Sequence, residues 1–313
     1  MVKLDFDLER DVPELTGKVI LITGGRYTLC TNGLGAAAAK MLAIRKAAKI
    51  YITGRNEPSA QRVIADIKST GSNTEVVWIK CDHTNLASVK EAADTILAKE
   101  SRLDVLMANA GIMAHPPGLT KDGYELHFGI NHIAHALLIR KLLGLLQKTA
   151  KEHGEARIIP ISSLAFVLAP RNHGIVFDDL KTTQAYWLLG KWQRYAQSKL
   201  ANYLYGRELA RRYPDILTLI VDPGPSNTGL VSSLGFLDKM IVYLGNINRF
   251  LDEDQGHWNQ VWAVGVSKDK AKSGELYEPV GKPTDGLTHW CLDEKLAARL
   301  WDWTEEGLKP WLT

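Results

Sequence analysis

Short apolar segments rich in β-branched residues alternate along the chain with longer segments of helical periodicity. The pattern predicts strands over 18–23, 49–53, 75–80, 104–108, 157–161 and 216–221, with a last short strand near 275–278. Helices are predicted over 33–46, 57–69, 85–100, most of 122–148, 194–212 and about 292–308. Such alternation is typical of a parallel sheet covered by helices on both faces. Because crossovers between parallel strands are right-handed, we expect a doubly wound α/β fold, a three-layer Rossmann arrangement.

No linker rich in proline, glycine or serine and no internal repeat divides the 313 residues. We therefore expect a single domain over residues 1–313. Residues 227–255 are predicted to form a lid over the substrate. Within them, Phe236 to Leu251 is the most apolar late stretch, but charged residues interrupt it. We interpret it as an amphipathic lid or core helix, with shallow contact to a membrane surface as the alternative.

Composition narrows the class of protein further. The chain has 38 basic and 35 acidic residues, a net charge of +3, which argues against nucleic acid as a partner. Three cysteines (Cys30, Cys81 and Cys291) provide neither a disulfide framework nor metal-ligand spacing, so we expect a reducing, cytoplasmic setting without a metal. The charged N-terminus predicts no signal peptide, and no apolar run reaches the length that spans a membrane.

Tyr195 and Lys199 are four residues apart in a predicted helix, so both side chains project from one face. A free phenol, with a pKa of about 10, is a poor acid or base near neutrality. An ammonium group about 4 Å away attracts the phenolate by about 4 kcal/mol at an effective dielectric of about 20, roughly three pKa units. The pair predicts a tyrosine that titrates near neutral pH. The same spacing taken alone is more typical of an amphipathic helix with a surface lysine. The motifs elsewhere in the chain, however, favour a catalytic pair.

Those motifs follow the predicted strands, at the edge where ligands bind to such sheets. Glycines after the first strand allow a phosphate to approach the backbone at a helix N-terminus. Arg55 follows the second strand, where an arginine suits the 2′-phosphate of NADP(H). The other strands end in Cys81-Asp82, Asn109-Ala110-Gly111, Ser162-Ser163 and the run from Asp222 to Thr228.

Six motifs occur in one order: Thr-Gly followed by Gly-x-Gly, Asn-Ala-Gly, Asn131, Ser-Ser, Tyr-x-x-x-Lys and Pro-Gly. Over nearly its full length the chain resembles the short-chain dehydrogenase/reductase family. The runs 131–135 and 195–202 resemble its retinol-dehydrogenase-like branch. The late runs 276–281 and 300–304 resemble fungal members, many of which serve secondary metabolism.

The resemblance implies a catalytic tetrad of Asn131, Ser163, Tyr195 and Lys199. Tyr195 would protonate the carbonyl oxygen in reduction and act as the base in oxidation. Lys199 would lower the pKa of Tyr195 and hold the nicotinamide ribose, and Ser163 would hydrogen-bond the substrate oxygen, with Ser162 as the second choice. Asn131 would support a water molecule that links Lys199 to solvent.

The resemblance also implies a nucleotide site with NADP(H) preferred over NAD(H). Its members would be Gly24, Asn32, Gly33, Leu34, Gly35, Arg55, Asp82, Asn109, Ala110, Gly111, Tyr195, Lys199, Pro223, Gly224, Ser226 and Thr228. Segments 166–192 and 227–251 are expected to wall the site with aromatic side chains and to favour a hydrophobic carbonyl or alcohol substrate; these are Phe166, Phe177, Tyr186, Trp187, Trp192, Phe236, Tyr243 and Phe250. Helices 122–148 and 194–212 would be the faces of a homodimer, although the retinol-like branch is often monomeric or membrane-attached.

One departure affects the glycine turn, which carries five residues more than the family pattern, Arg26 to Cys30. Three interpretations stay open: the loop bulges outward and leaves the site usable, it displaces the cofactor, or it is an artefact of the sequence. A non-enzymatic homologue with impaired cofactor binding is therefore the alternative to an oxidoreductase. An epimerase or dehydratase that uses the same tyrosine is a third hypothesis. A second departure, Pro225 after Gly224, stiffens the loop expected over the nicotinamide.

Overall fold

The computed structural model describes residues 4–312 except 25–32, 188, 227–230, 232–233 and 247–248. Its main sheet has six parallel strands in the order β3-β2-β1-β4-β5-β6. They are β1 (Val19–Thr23), β2 (Lys49–Gly54), β3 (Glu75–Lys80), β4 (Val105–Ala108), β5 (Arg157–Pro160) and β6 (Leu217–Thr218). The strand order reverses between β1 and β4, which places a ligand crevice at the carboxyl ends of those strands. The predicted doubly wound fold is confirmed.

Helices cover both faces of the sheet. One core lies under helices Leu86–Lys99, Ala134–His153, Gly190–Arg212 and Glu294–Leu312. The other lies under helices Leu34–Ile44, Glu57–Ser69 and Trp258–Gly265. Within β1, Leu21 belongs to the first core, while Ile20 and Ile22 belong to the second, because successive strand residues face opposite sides. This confirms the three-layer arrangement.

Shorter elements complete the described chain. They are helices Leu8–Asp11, Leu126–Phe128, Phe236–Gly245 and His289–Leu292, a π-helical turn Gly129–Ile133, and 3₁₀ turns Leu164–Leu168, Phe177–Asp179, Glu253–Gln255 and Lys268–Lys270. A second sheet contains β7 (Ile220–Val221), β8 (Leu276–Glu278) and β9 (Lys282–Pro283). In the described part of the chain, no helix is both long and apolar enough to cross a membrane.

Three predicted elements differ from the structure. The strand predicted over 216–221 is divided, because β6 pairs with β5 whereas β7 pairs in parallel with β8. The helix predicted from 122 starts at Leu126 and passes through the π-helical turn before Ala134. The helix with Tyr195 begins at Gly190, four residues earlier than predicted, and this brings Trp192 onto the same element.

The C-terminal helix packs on both helices proposed as dimer faces. Arg140 Nε donates to Glu305 at 2.9 Å, and the rings of Tyr205 and Trp301 stack with centroids 4.8 Å apart. The chain's own C-terminus thus covers part of the surface that a homodimer would use. Homodimerisation and the single-domain organisation stay predictions.

Candidate active site

Tyr195 lies one turn into its helix, beside the end of β5. Tyr195 is 8% exposed, and the side chain of Ser163 is close enough to its phenol to lower the pKa of Tyr195. The Ser163 Oγ also accepts the backbone N–H of Ala165 at 3.2 Å, a contact that fixes the hydroxyl at the start of the turn after β5. The two residues predicted to hold the substrate oxygen are therefore adjacent.

Lys199 is buried one helical turn beyond Tyr195. Its Nζ donates to the carbonyl of Ile161 at 2.9 Å and lies 5.7 Å from the centroid of the Tyr195 ring. Asn202 Nδ2 donates to the same carbonyl at 3.0 Å. Ser162 Oγ donates to the backbone carbonyl of Lys199 at 2.8 Å, which ties β5 to the helix. Ser162 thus has a structural contact, while Ser163 faces the phenol.

The predicted shift of the Tyr195 pKa toward neutrality is wrong for the protein without cofactor. Burial raises the pKa of Tyr195, the hydrogen bond from Ser163 opposes that rise, and the Asp222 carboxylate adds to it. Burial also lowers the pKa of Lys199 to about 8, against the attraction of Asp222. The ammonium points to the Ile161 carbonyl, and the cost of burying either charge exceeds their mutual attraction. At neutral pH Tyr195 is therefore a protonated phenol beside a charged lysine.

Asn131 lies fully buried in the π-helical turn, a distortion common at functional sites. Its Oδ1 accepts the N–H of Ile112 at 2.9 Å, and its Nδ2 donates to the carbonyl of Ile112 at 3.0 Å and to Ser198 Oγ at 2.9 Å. A Cβ on Gly111 would lie 3.2 Å from Asn131 Oδ1 and 3.8 Å from Lys199 Nζ. Both predicted tetrad members therefore meet at Gly111.

A cleft runs along the carboxyl ends of β1 to β4. It is lined by Gly24, Gly54, Arg55, Cys81, Asp82, His83, Thr84, Ala110, Gly111 and Ile130. Five of these were predicted to bind the nucleotide, and Gly111 connects the cleft to Lys199. The other five residues were not predicted to bind the nucleotide. Four of them lie at or after the ends of β2 and β3, and Ile130 lies in the π-helical turn.

Arg55 and Asp82 lie together in this cleft, on neighbouring strand ends. Arg55 Nη1 is 3.5 Å from Asp82 Oδ1, which also accepts the backbone N–H and the hydroxyl of Thr84 at 3.0 and 2.8 Å. Burial would raise the pKa of Asp82, but the Thr84 hydrogen bonds and the charge of Arg55 outweigh it and hold that pKa below its usual value. The pair presents a cation and a carboxylate to whatever enters the cleft.

The first long helix begins at the same edge, with Gly33 as its N-cap and Leu34 as its first residue. Among the described residues, none lies within 4 Å of a Cβ on Gly33, next to the amides of the first turn. A Cβ on Gly35 would lie 2.6 Å from Asn109 Nδ2, and Asn109 itself donates to the Thr23 carbonyl at 2.9 Å. These contacts fit a site for a pyrophosphate. Asn32 and the additional residues Arg26–Cys30 lie outside the described residues.

Asp222 joins the turn after β5 to the loop after β7. Its Oδ2 accepts the N–H of Leu164 at 3.1 Å, next to Ser163, and its Oδ1 accepts the N–H of Gly224 at 2.9 Å. Pro223 lies inside the resulting turn, and Gly224 has a φ of +76° and would place a Cβ 2.8 Å from Pro279. Asp222 was not among the predicted site residues, since its two partners are far apart in sequence.

The predicted lid begins and ends at one point. Ser226 pairs with Leu251, and Leu251 N donates to the Pro225 carbonyl at 2.9 Å. A Cβ on Gly256 would lie 2.3 Å from Ser226 Oγ and 3.0 Å from Leu34 Cδ2, so this junction adjoins the start of the first long helix. Thr228, predicted to lie by the nicotinamide, is outside the described residues.

An apolar cluster surrounds the Tyr195 ring. Trp192, Val231 and Val242 are buried in it, and Met113, Ala114, Ala165, Leu234 and Phe250 pack against it. Asp238 holds the lid helix Phe236–Gly245 to the catalytic helix: its Oδ2 is 2.6 Å from Lys191 Nζ, and its Oδ1 accepts Trp192 Nε1–H at 3.2 Å. Residues of the predicted lid therefore contribute to the apolar cluster that contains Tyr195.

Only part of the predicted aromatic wall lies there. Trp192 and Phe250 belong to the apolar cluster, and Tyr243 stacks on Phe250 with ring centroids 4.5 Å apart. Phe166 and Phe177 instead pack in the main core, and Trp187 is 93% exposed. The hydroxyl of Tyr186 donates to Asp179 Oδ2 at 2.9 Å, away from that cluster. The side chain of Phe236 is not among those that the structure describes.

Two glycine variants test the proposed phosphate edge. A Cβ on Gly24 would lie 2.2 Å from the Thr53 carbonyl oxygen, so Gly24→Ala should cost about 1–3 kcal/mol of unfolding free energy. Gly33→Ala meets no described residue within 4 Å and should cost about 1 kcal/mol or less. Its methyl group would, however, occupy the approach to the helix N-terminus, and we expect NADPH affinity to fall roughly tenfold or more, at least ~1.4 kcal/mol. Urea unfolding and cofactor titration measure both quantities. Unchanged affinity in Gly33→Ala would place the phosphate elsewhere.

The sheet order, the cleft and the Tyr195–Lys199–Ser163 arrangement define a nucleotide-binding oxidoreductase, and comparisons with known proteins agree. The family model described as short chain dehydrogenase matches residues 18–177. An uncharacterized oxidoreductase of Schizosaccharomyces pombe is 35% identical over 309 residues, 95% of this chain and 86% of the relative. Human polyprenol dehydrogenase is 32% identical over 94% of this chain and 86% of its own length. Human retinol dehydrogenase 11 is 36% identical over 72% of this chain and 67% of its own length.

The fold is also similar to that of a solved protein structure. A solved structure of an uncharacterized protein from Mycobacterium paratuberculosis is similar with a TM-score of 0.72 and 28% identity, and covers 96% of each chain. The chain belongs to the short-chain dehydrogenase/reductase family, and its relatives include the retinol-dehydrogenase-like branch. The predicted family is confirmed, and with it an oxidoreductase that uses a nicotinamide cofactor.

Proposed function

We propose that the chain is an NADP(H)-dependent oxidoreductase that interconverts a carbonyl and an alcohol on a hydrophobic small molecule. The observation that carries the proposal is the buried phenol of Tyr195, which lies in an apolar cluster with the Lys199 Nζ 5.7 Å from its ring centroid. Gly111 connects Lys199 to the cleft that contains Arg55. A proton donor (Tyr195), a cation (Lys199) and a nucleotide cleft thus lie beside the apolar cluster.

Ser163, Tyr195 and Lys199 each have a separate chemical role in the proposed reaction. When bound, the nicotinamide supplies or accepts the hydride. Ser163 and Tyr195 hold the substrate oxygen between two hydroxyl groups, and the phenol of Tyr195 donates its proton to that oxygen in reduction. The charge of Lys199, 5.7 Å from the ring centroid, stabilises the phenolate that remains. In oxidation the same phenolate removes the proton from the alcohol.

The apolar cluster supports a hydrophobic substrate. Among the described residues, Trp192, Val231, Val242, Met113, Leu234 and Phe250 belong to it or pack against it, and these side chains suit an apolar substrate. The name of the human relative, polyprenol dehydrogenase, refers to a lipid alcohol and supports the same substrate class. We place the activity in the cytoplasm because Cys81 and Cys291 are buried free thiols. We also place it in secondary metabolism, on the resemblance of the two late segments to fungal members.

Arg55 is the residue that we propose selects NADP(H). Arg55→Gln removes a charge-assisted hydrogen bond to the 2′-phosphate, so NADPH affinity should fall by about 1.5–3 kcal/mol, roughly 10- to 150-fold. NADH affinity should change little. Arg62→Gln removes the same charge from an exposed position on helix Glu57–Ser69 and serves as the control. Equal losses for the two cofactors in Arg55→Gln would contradict the assignment.

Cofactor titration also tests the proposed function as a whole. NADPH and NADH binding should be measured on the chain as it stands and on a variant that lacks Arg26–Cys30. Tight NADPH binding by the whole chain, followed by turnover of apolar aldehydes, ketones or alcohols, is the expected result. Binding by the shortened variant alone would favour the non-enzymatic alternative for the whole chain. Conversion of substrate without net cofactor turnover would favour an epimerase or dehydratase.

A further inference from the structure

His135 is a buried side chain for which the proposed reaction has no role so far. It is 4% exposed and lies between β1 and the π-helical turn. Its Nε2 is 2.8 Å from Thr23 Oγ1, and its Nδ1 is 2.9 Å from the backbone carbonyl of Asn131. Both ring nitrogens thus contact residues next to the predicted cofactor and catalytic groups.

The hydrogen bonds of Thr23 determine which nitrogen of His135 carries the proton. Thr23 Oγ1 accepts the N–H groups of Asn109 and Ala110, each at 2.8 Å, so its own hydrogen must be donated. The His135 Nε2 at 2.8 Å is a better acceptor than the Met107 carbonyl at 3.4 Å. His135 Nδ1 therefore carries the hydrogen and donates it to Asn131. Burial holds the pKa of His135 well below its usual value, and the ring is neutral.

His135 donates into the π-helical turn that contains Asn131. In such a turn an amide bonds to the carbonyl five residues earlier, as Ala134 does to Gly129. The Nδ1–H of His135 provides the Asn131 carbonyl with a donor from a side chain. The side chain of Asn131 is at the same time held by Ile112 and Ser198. The imidazole thus fixes the backbone on which the predicted tetrad member stands.

We propose that His135 is a positioning residue for the carbonyl–alcohol reaction, whose neutral ring connects the cofactor edge at Thr23 to the catalytic turn at Asn131. The inference rests on the proposed function. On the cofactor side, Thr23 Oγ1 holds the amides of Asn109 and Ala110, and Ala110 lines the cleft. On the catalytic side, Asn131 meets Lys199 at Gly111. A displacement of Thr23 or of Asn131 is therefore transmitted to the other residue through the imidazole ring of His135.

Two substitutions separate the two contacts of His135. In His135→Asn the side-chain amide N–H takes the place of Nδ1–H, which keeps the bond to Asn131 and loses the one to Thr23. In His135→Gln the amide reaches the place of Nε2, which keeps Thr23 and loses Asn131. Because small displacements of reacting groups cost up to about 100-fold in rate, we expect His135→Gln to lower kcat roughly 10- to 100-fold with NADPH affinity preserved. His135→Asn should show the opposite: weaker NADPH binding with kcat largely retained.

A matched control and a measurement without substitutions keep the inference testable. His153→Gln changes an exposed histidine at the far end of the same helix, Ala134–His153, and should leave kcat and NADPH affinity unchanged. If the His135 variants do not fold, ¹⁵N spectra of the histidine rings in the unmodified protein still report the tautomer. A proton on Nδ1 of His135 is expected. A proton on Nε2, or equal effects of the Asn and Gln variants on kcat and affinity, would overturn the inference.

The inference and the proposed function fail in different ways. The tautomer and the NADPH affinities need no turnover, so they are readable even if every carbonyl and alcohol tested proves inert. Inert substrates together with the expected tautomer and affinities would overturn the proposed reaction alone. Normal turnover by both His135 variants would overturn the positioning role alone.

Discussion

Tyr195→Phe should abolish turnover while leaving the protein folded and able to bind its cofactor. The substitution removes only the hydroxyl group, so the ring keeps its place in the apolar cluster with Trp192 and Val242. Its edge contact with His127, at a centroid distance of 6.4 Å, is also kept. The substrate oxygen then has no proton donor except Ser163, whose hydroxyl is a far weaker acid. General acid catalysis is worth about 10²- to 10⁴-fold, and we expect a fall of that size in kcat.

The measurement is steady-state turnover of an apolar aldehyde with NADPH, accompanied by a melting curve. Tyr203→Phe makes the same chemical change on the same helix, but in the main core, and should retain normal turnover. A Tyr195→Phe enzyme with kcat within roughly tenfold of the unmodified protein would show that another group supplies the proton.

Lys199→Met should also remove activity, yet make the protein more stable. Without the ammonium group, the phenolate of Tyr195 would be a buried charge with no partner. Breaking a buried pair costs about 3–5 kcal/mol, so kcat should fall by roughly 10²- to 10⁴-fold. The Ile161 carbonyl that Lys199 occupies would keep its hydrogen bond from Asn202 Nδ2. The substitution therefore leaves that carbonyl satisfied.

The gain in stability follows from the pKa of Lys199, which burial lowers from 10.5 to about 8. Between these two values the unfolded chain binds more protons than the folded one, so stability of the unmodified protein rises with pH in that window. Below pH 8 both states are protonated, and the whole cost of burying the charge, about 3 kcal/mol, is present. Lys199→Met should be more stable at pH 7 by up to that amount, and its advantage should shrink as pH rises from 8 toward 10.5.

Urea unfolding at pH 7 and pH 9.5 tests the Lys199→Met prediction. Lys148→Met, at an exposed position on helix Ala134–His153, should change neither stability nor turnover appreciably. A Lys199→Met protein that is less stable at pH 7, by an amount independent of pH, would contradict the assigned cost of burial.

The sequence predicts the fold and the location of the site well because both follow from local patterns. Alternating strand and helix periodicities give the sheet, and the sheet brings the strand ends together at one edge. Tyr195, Ser163 and Lys199 are found beside that edge. The acidity of Tyr195 could not be predicted in the same way. Spacing indicates the attraction between the two groups but not the cost of burying them, and the folded chain buries both and directs Lys199 to Ile161.

The residues that sequence reasoning missed act through contacts between distant segments. Asp222 connects two loops that are 58 residues apart, and His135 contacts a threonine 112 residues away. Met113 packs against the apolar cluster from a loop after β4 that carries no recognisable motif. Phe166 and Phe177 show the converse: their aromatic character indicated a wall, but their backbone positions direct them into the core.

The junction of Pro225 and Ser226 with Leu251 makes the predicted lid a segment that can be exchanged. The lid leaves and rejoins the domain at a single pair of residues, so its length and composition can vary without a change in the distance that the chain must span. Closing a longer loop between fixed ends costs only about 0.6 kcal/mol for each doubling of its length. Descendants of this chain could thus acquire new substrates by exchanging that one segment, while the proton donor and the nucleotide cleft remain as they are.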